Sequence, residues 1–263
     1  MQDLAELDAK EMRMFRKHMQ LIFQDPYASL NPRMTIRDII AEPLVAQKLA
    51  KGGEVDERVR NIATLCKLNL EYLRRYPHAF SGGQRQRIGI ARALISQPEF
   101  IVCDESVSAL DMSIQADVLN LLMDLQEEFE LTYLFIAHDL SVVAHISDRV
   151  AVMYLGQFVE LAPTKKLFYA PKHPYTEALM SAIPKVNPDQ EMVPVHLEGE
   201  IPSPVNLPSG CRFHTRCPYM QDMCKTDMPQ WKEIEKGHFV ACHFADTLTL
   251  KGVDIPDAVG TAN

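Results

Sequence analysis

Glycine is scarce in this chain: 11 occur among 263 residues, where a usage of about 7% would give roughly 18. Few positions therefore allow a backbone to approach a ligand closely, and the paired glycines that do occur carry more weight. No apolar run approaches the roughly 18 residues that span a bilayer, and the N-terminus lacks the charged-then-apolar layout of a signal peptide. A membrane-spanning or secreted chain is not indicated, and a cytosolic location is expected. Positive charge is also short, with 27 basic against 35 acidic residues, a net charge of -8 and a pI of about 5.6. No overall positive field is present to hold a nucleic-acid backbone or an anionic membrane. What is plentiful is length and apolar content, 47% hydrophobic against 24% charged, which excludes a disordered or mini-protein reading.

Proline divides the chain. Only five of 17 lie before residue 160 (Pro26, Pro32, Pro43, Pro77, Pro98), and twelve follow it. The first part reads as an alternating α/β domain, residues 1–160, and the second, residues 161–263, as a loop-rich extension. The short apolar runs Met19–Phe23, Phe100–Cys103 and Tyr133–Ala137 predict buried parallel strands. Each ends in polar residues (Gln24-Asp25, Asp104-Glu105, His138-Asp139), and ligands bind at the carboxyl ends of strands in open α/β sheets. Helical spacing links Val55, Val59, Ile62 and Cys66, and also Ile114, Val118, Leu121, Leu122, Leu125 and Phe129 on a helix from about 113 to 130. Both stripes are expected in the core. Residues 149–160 predict two strands around a turn at Gly156-Gln157.

The strongest local signal is Ser81-Gly82-Gly83-Gln84-Arg85-Gln86-Arg87 before a helix-compatible stretch. Paired glycines at a helix start permit close approach, and the free N–H groups and dipole there favour an anion such as phosphate. Taken alone, this is equally an ordinary helix start. Further on, Asp104 and Glu105 end an apolar strand, pointing in different directions, so that one serves a metal-bound water while the other faces a reacting water as general base. Singly, that pair is also a plain strand-to-turn transition. The next residues add Ser108-Ala109-Leu110-Asp111 and then Ala137-His138-Asp139.

In this order and spacing, the set resembles the ATPase subunits of ABC transporters, over about residues 18–160. The resemblance implies a P-loop-NTPase-like α/β core with a helical subdomain at about 35–95. Gln24 would touch Mg²⁺ and the nucleophilic water, Ser81, Gly82, Gly83 and Gln84 would close on the phosphates of ATP, and Asp104 would hold Mg²⁺ through water. Glu105 would be the general base, His138 would contact the γ-phosphate, and Asp111 would link two sites across a dimer. Positioning and charge stabilisation supply nearly all the rate in such phosphoryl transfer.

One element of that family is missing: no G-x-x-x-x-G-K-[ST] stretch, the phosphate-cradling loop, occurs in the sequence. In the family it precedes the glutamine loop, so it is expected upstream of Met1, and the core is expected to be incomplete, lacking the phosphate-loop strand. N-terminal truncation and genuine loss of the loop are the two explanations; the retained Glu105 and His138 favour truncation. Without that strand, the strands near 132–137 and 149–155 would lack their shared neighbour. The chain alone is expected not to bind ATP specifically, while still able to lend Ser81–Gln84 to a partner's nucleotide.

The segments Ala170–Leu179, Gly199–Pro204 and Asp25–Arg33 resemble the oligopeptide and dipeptide import branch, which extends the likeness to about residue 244. That resemblance implies an ATP-hydrolysing subunit on the cytoplasmic face of the inner membrane. Its implied partners are a second ATPase subunit, identical or paralogous, two transmembrane permease subunits contacted through about 35–79, and indirectly an extracytoplasmic substrate-binding protein, with no nucleic acid. Cys211, Cys217, Cys224 and Cys242 have five, six and seventeen residues between them, unlike the close pairs of zinc ribbons. A four-iron four-sulfur cluster, which some members of the family carry here, zinc, and unliganded buried thiols stay open, with His214 and His243 as bystanders. The rival functions are an ABC protein acting on DNA or ribosomes, disfavoured by the acidic pI, the import-type tail and the lack of a second cassette, and a non-catalytic or regulatory subunit with a metal-binding tail, favoured by the missing loop.

Overall fold

In the computed structural model, which describes residues 3–183 and 195–253, the three apolar runs form one parallel sheet. Its order is β1 (Met19–Ile22), β2 (Phe100–Asp104) and β3 (Thr132–Ile136). The register sets Ile22, Cys103 and Phe135 in one row and Leu21, Val102 and Leu134 in the row on the opposite face. On the first face Ile22, Ile101 and Cys103 are buried, whereas Leu21, Leu134 and Ile136 are exposed. The expectation of strands buried on both faces is therefore corrected for β1, where Leu21 is exposed and only Ile22 is buried, and for β3, where no position is fully buried. Only one side of this sheet is covered among the described residues, and β3 is an edge strand there.

These elements belong to the first of two compact units, Met1–Asp139 and Leu140–Asn263. After a 3-10 turn at Leu4–Glu6, the first α-helix of this unit is α1 (Ala9–Phe15), started by a capping box between Asp8 and Glu11. After β1 come α2 (Ile36–Ala46), capped by Thr35, and α3 (Gly53–Leu65), in which Val55, Val59 and Ile62 are buried as the spacing predicts. Then follow α4 (Gly82–Leu94) and, beyond β2, α5 (Met112–Phe129). Helix α5 begins where the Asp111 side chain accepts the Ile114 N–H and ends at Glu130 in the left-handed region. Its buried stripe is Val118, Leu119, Leu121, Leu122 and Leu125. The Tyr133 hydroxyl donates to the Leu122 carbonyl oxygen at 3.0 Å, pinning β3 to this helix.

The second unit starts with α6 (Leu140–Ile146) and the antiparallel pair β4 (Arg149–Tyr154) and β5 (Gln157–Pro163). The turn falls on Leu155 and Gly156, both at positive φ, one residue earlier than the sequence suggests, because two adjacent left-handed residues match the twist of the strands. Helices α7 (Thr164–Tyr169), α8 (Pro174–Ser181) and α9 (Met223–Thr226) follow. The extension also contributes β6 (Lys232–Glu235) and β7 (His238–Val240), completing a four-stranded sheet in the order β4-β5-β7-β6. Residues 184–194 and 254–263 of the extension lie outside the described residues.

Candidate functional site

Glu105 occupies the step from β2 into the following turn with φ +43°, a conformation that non-glycine residues seldom adopt and that gathers at functional positions. The turn holds it from both sides. Its N–H donates to the Ile136 carbonyl at 3.0 Å, and its own carbonyl accepts from the Ser108 N–H at 3.1 Å and hydroxyl at 2.9 Å. The carboxylate is thereby presented beyond the ends of β2 and β3. Gln24 Nε2 donates to Glu105 Oε2 at 2.6 Å, and His138 Nδ1 lies 3.6 Å from Glu105 Oε1. Three residues from three strand ends, 81 and 33 positions apart, thus meet at one carboxylate, as the open end of a parallel sheet allows.

Ser81 caps α4. Its side chain accepts the Gln84 N–H, while Gln84 Oε1 accepts the Ser81 N–H at 3.1 Å, a reciprocal box that fixes the start of the helix. Gly83 is required there by packing, since a Cβ at this position would stand 2.3 Å from Ile114 Cγ2 of α5. Gly82 has ordinary space, since a Cβ there would meet Leu110 and Tyr27 at normal van der Waals contact, 3.6 and 3.7 Å. The start of α4 therefore rests on the Leu110–Ile114 stretch, next to Asp111, which serves as the cap of α5. Asp104 ends β2 half-buried, paired in register with Ile136.

In the second unit the four late cysteines line a single pocket, with His173, Phe213, His214 and Tyr219 among its walls. All are free thiols. Burial pushes the Cys217 thiol up to about 12 and Cys242 to about 11, and it raises Cys211 as well; nearby thiols add to each shift. His214 Nδ1 pairs with the Cys211 carbonyl at 2.9 Å, and His243 Nε2 with the Asp227 carbonyl at 2.9 Å. Among the described residues no group of three or more His, Cys, Asp or Glu side chains is arranged to hold a metal ion. The expected iron-sulfur or zinc centre is thus not formed as a ligand shell, although its four residues share one cavity. With no metal present, burial and mutual proximity keep these thiols neutral, and a metal would bind them as thiolates with release of their protons. Magnesium is a separate matter, since it is commonly held by one or two carboxylates together with substrate phosphates.

The aromatic lining of this pocket was not apparent from the sequence. Phe213 is fully buried, with its ring centroid 5.2 Å from Tyr154, 5.3 Å from Tyr175 and 5.7 Å from His173. The one available signal is the His173-Pro174-Tyr175 triplet together with Phe213 between two cysteines.

The sequence profile of ABC transporters matches residues 1–108, and that of the oligopeptide/dipeptide transporter C-terminal region matches residues 159–224. The oligopeptide transport ATP-binding protein AppF of Bacillus subtilis is 53% identical over 245 residues, covering 92% of this chain and 74% of that protein. A protein of Brucella ovis named as a peptide import ATP-binding protein is 55% identical over 240 residues, covering 91% and 76%. Among solved structures, cbiO1 of Clostridium perfringens, part of the ABC transporter complex cbiONQ, superposes with a TM-score of 0.56 at 25% identity, over 61% of this chain and 63% of that one. The ATP-binding cassette MJ0796, in a dimeric post-hydrolysis state bound to ADP and Pi, does so with 0.54 at 27% identity, over 60% and 68%. Among the described residues no helix is long and apolar enough to cross a membrane.

Proposed function

The chain belongs to the ATP-binding subunits of ABC transporters, in the oligopeptide and dipeptide branch, and from that membership we propose that it energises peptide uptake through separate membrane subunits. It is an ATPase subunit by family, and the family's reaction uses ATP and Mg²⁺. The observation that carries the reading for this chain is the Glu105 carboxylate, held in a left-handed turn and met by Gln24 and His138. Such a carboxylate is placed to take a proton from an attacking water, with Gln24 orienting that water and His138 facing the transferred phosphoryl group. Asp104 is the residue that would hold Mg²⁺, which neutralises phosphate charge when bound. Ser81, Gly82, Gly83 and Gln84 offer the N-terminal end of α4 to phosphate oxygens, and Asp111 beside them would link two such sites across a dimer.

The same membership supports the partners: a second ATPase subunit, identical or paralogous, two transmembrane permeases, and an extracytoplasmic substrate-binding protein acting through them. The chain would then work at the cytoplasmic face of the inner membrane. Its four-cysteine pocket is the place where a four-iron four-sulfur cluster, or zinc, would be held after the thiols lose their protons.

The test is reconstitution in liposomes with both permeases and an ATPase subunit that carries a phosphate loop. Peptide-stimulated ATP hydrolysis is expected, and Ser81→Arg in this chain should lower it at least tenfold, by blocking the signature with a bulky cation. Hydrolysis indifferent to Ser81→Arg would overturn the proposal. Glu105→Gln is expected to at least halve that turnover, and unchanged turnover would deny Glu105 the role of general base.

A further inference from the structure

Two arginines stand seven residues apart on α4, Arg85 and Arg92, and so project from the same side of the helix two turns apart. That side faces the segment that follows β1. The Arg85 guanidinium lies 4.0 Å above the centroid of the Tyr27 ring, and its Nε donates to the Phe80 carbonyl at 3.0 Å. Arg92 Nη1 donates to the Ser29 carbonyl at 2.6 Å, and its guanidinium carbon is 5.7 Å from the centroid of Phe23. Glu42 of α2 stands close enough to Arg92 to counter the burial that lowers its pKa.

The segment so gripped is itself a tight turn. The Tyr27 N–H donates to Asp25 Oδ1 at 2.7 Å and the Ser29 N–H to the Asp25 carbonyl at 3.0 Å. Phe23 and Asp25 are the immediate neighbours of Gln24, whose carboxamide meets Glu105. The arginines therefore hold a small folded block with Gln24 at its root. They do so from outside the apolar stripe of α4, whose buried residues include Ile88, Ala91 and Leu94. A planar guanidinium suits both contacts, because it stacks on an aromatic face and donates in a fixed fork; a lysine does neither as well.

We propose that Arg85 and Arg92 are positioning residues for Gln24, docking the 23–29 turn on α4 so that the Gln24 carboxamide reaches the Glu105 carboxylate only while that helix is in place. This rests on the reading of Gln24 and Glu105 as the reacting pair. Its consequence is that whatever engages Ser81–Gln84 at the head of α4 acts on the same rigid rod that holds Gln24.

The 263-residue chain without nucleotide is sufficient for the test, by NMR. Two quantities are read: exchange of the Ser29 amide hydrogen, and the shift of the Gln24 side-chain amide resonance when Glu105 is replaced by Ala, which reports the contact between the two side chains. Arg92→Gln and Arg85→Gln are expected to speed Ser29 exchange by about tenfold while leaving the amides of Ala91 and Leu94 within about twofold. Both should also make the Gln24 resonance insensitive to Glu105→Ala. Tyr27→Phe, which keeps a ring under Arg85, should behave as the parent, and Tyr27→Ala as Arg85→Gln. Should Arg92→Gln not fold, Arg92→Lys, which keeps the charge but not the fork, is expected to show the same two changes at smaller size. Unchanged Ser29 exchange with an unchanged Gln24 response overturns the proposal. So does acceleration shared equally by Ala91 and Leu94, which would make the arginines general props of the helix. Because no nucleotide is present, these outcomes are independent of the liposome test of the ATPase reading.

Discussion

At the scale of single residues, His173 shows how burial alone sets a chemical state. Its ring is enclosed, its Nδ1 accepts the Tyr175 N–H at 3.1 Å as the cap of α8, and desolvation holds its pKa down to about 3 from an ordinary 6.5. The folded chain thus keeps this imidazole neutral where the unfolded chain would protonate it. Between pH 6.5 and 3 the unfolded state binds the extra proton, so the stability present above pH 6.5 is lost as pH falls through that window. From pH 7 to 5 the loss from this group is about 2 kcal/mol. His173→Asn keeps a capping acceptor and is expected to remove that part of the pH dependence. Urea unfolding at the two pH values, followed by fluorescence of Trp231, the only tryptophan, measures the difference. Glu105 makes the complementary point, since its identity was legible in the Asp-Glu ending of an apolar run but its left-handed backbone was not. That conformation follows from the Ile136 and Ser108 partners, which come together only when the sheet forms.

At the scale of elements, the junction of α4 with α5 combines function and packing. Gly82 and Gly83 were legible as a place of close backbone approach, but the structure shows that the approach at Gly83 is to Ile114 of the neighbouring helix. Gly83→Ala is expected to destabilise the first unit by about 1–3 kcal/mol, because the added methyl meets a branched side chain rather than space. Ile114→Ala in the same chain should recover part of that loss, and urea unfolding followed by circular dichroism checks both. A double variant no more stable than Gly83→Ala alone would show that the glycine answers to something other than this contact. Elements also show where reading by period reached its limit. The stripe of α3 matched the 3.6-residue pattern throughout, and that of α5 held at Val118, Leu121, Leu122 and Leu125, while Ile114 and Phe129 at its ends stay half-buried and β6 and β7 were missed. Those two strands are four and three residues long, shorter than a period-2 pattern needs, and β7 owes its place to pairing with β5 and to the buried His238–Glu160 contact at 2.7 Å.

For the whole molecule, the sheet of the first unit leaves Leu21, Leu134 and Ile136 exposed on one face and β3 at its edge among the described residues. An apolar edge of this kind pairs readily with another chain unless charge or cover prevents it. The isolated 263-residue chain is therefore expected to self-associate, and Leu134→Lys to raise the monomeric fraction, as measured by sedimentation velocity across a concentration series. Equal association of parent and variant would place the sticky surface elsewhere. The chain covers 74% and 76% of the lengths of the AppF protein and the Brucella relative, so its surface is best compared with theirs over the matched span alone.

The order of motifs along the chain was enough, without coordinates, to place it among the ABC ATPase subunits and to nominate Gln24, Ser81, Glu105 and His138. Those signals are local: a strand end, a helix start and a turn each write their chemistry in a few adjacent residues. What only the tertiary structure decided is which of them meet. Gln24 and Glu105 are 81 positions apart, and no periodicity encodes their contact, which parallel pairing of β1 with β2 creates. The cysteines make the same case in reverse. Their spacing left cluster, zinc and free thiols open, and the fold gathers all four into one pocket, because residues up to 31 positions apart meet only once the extension packs; among the described residues no group of three or more is arranged to hold a metal ion.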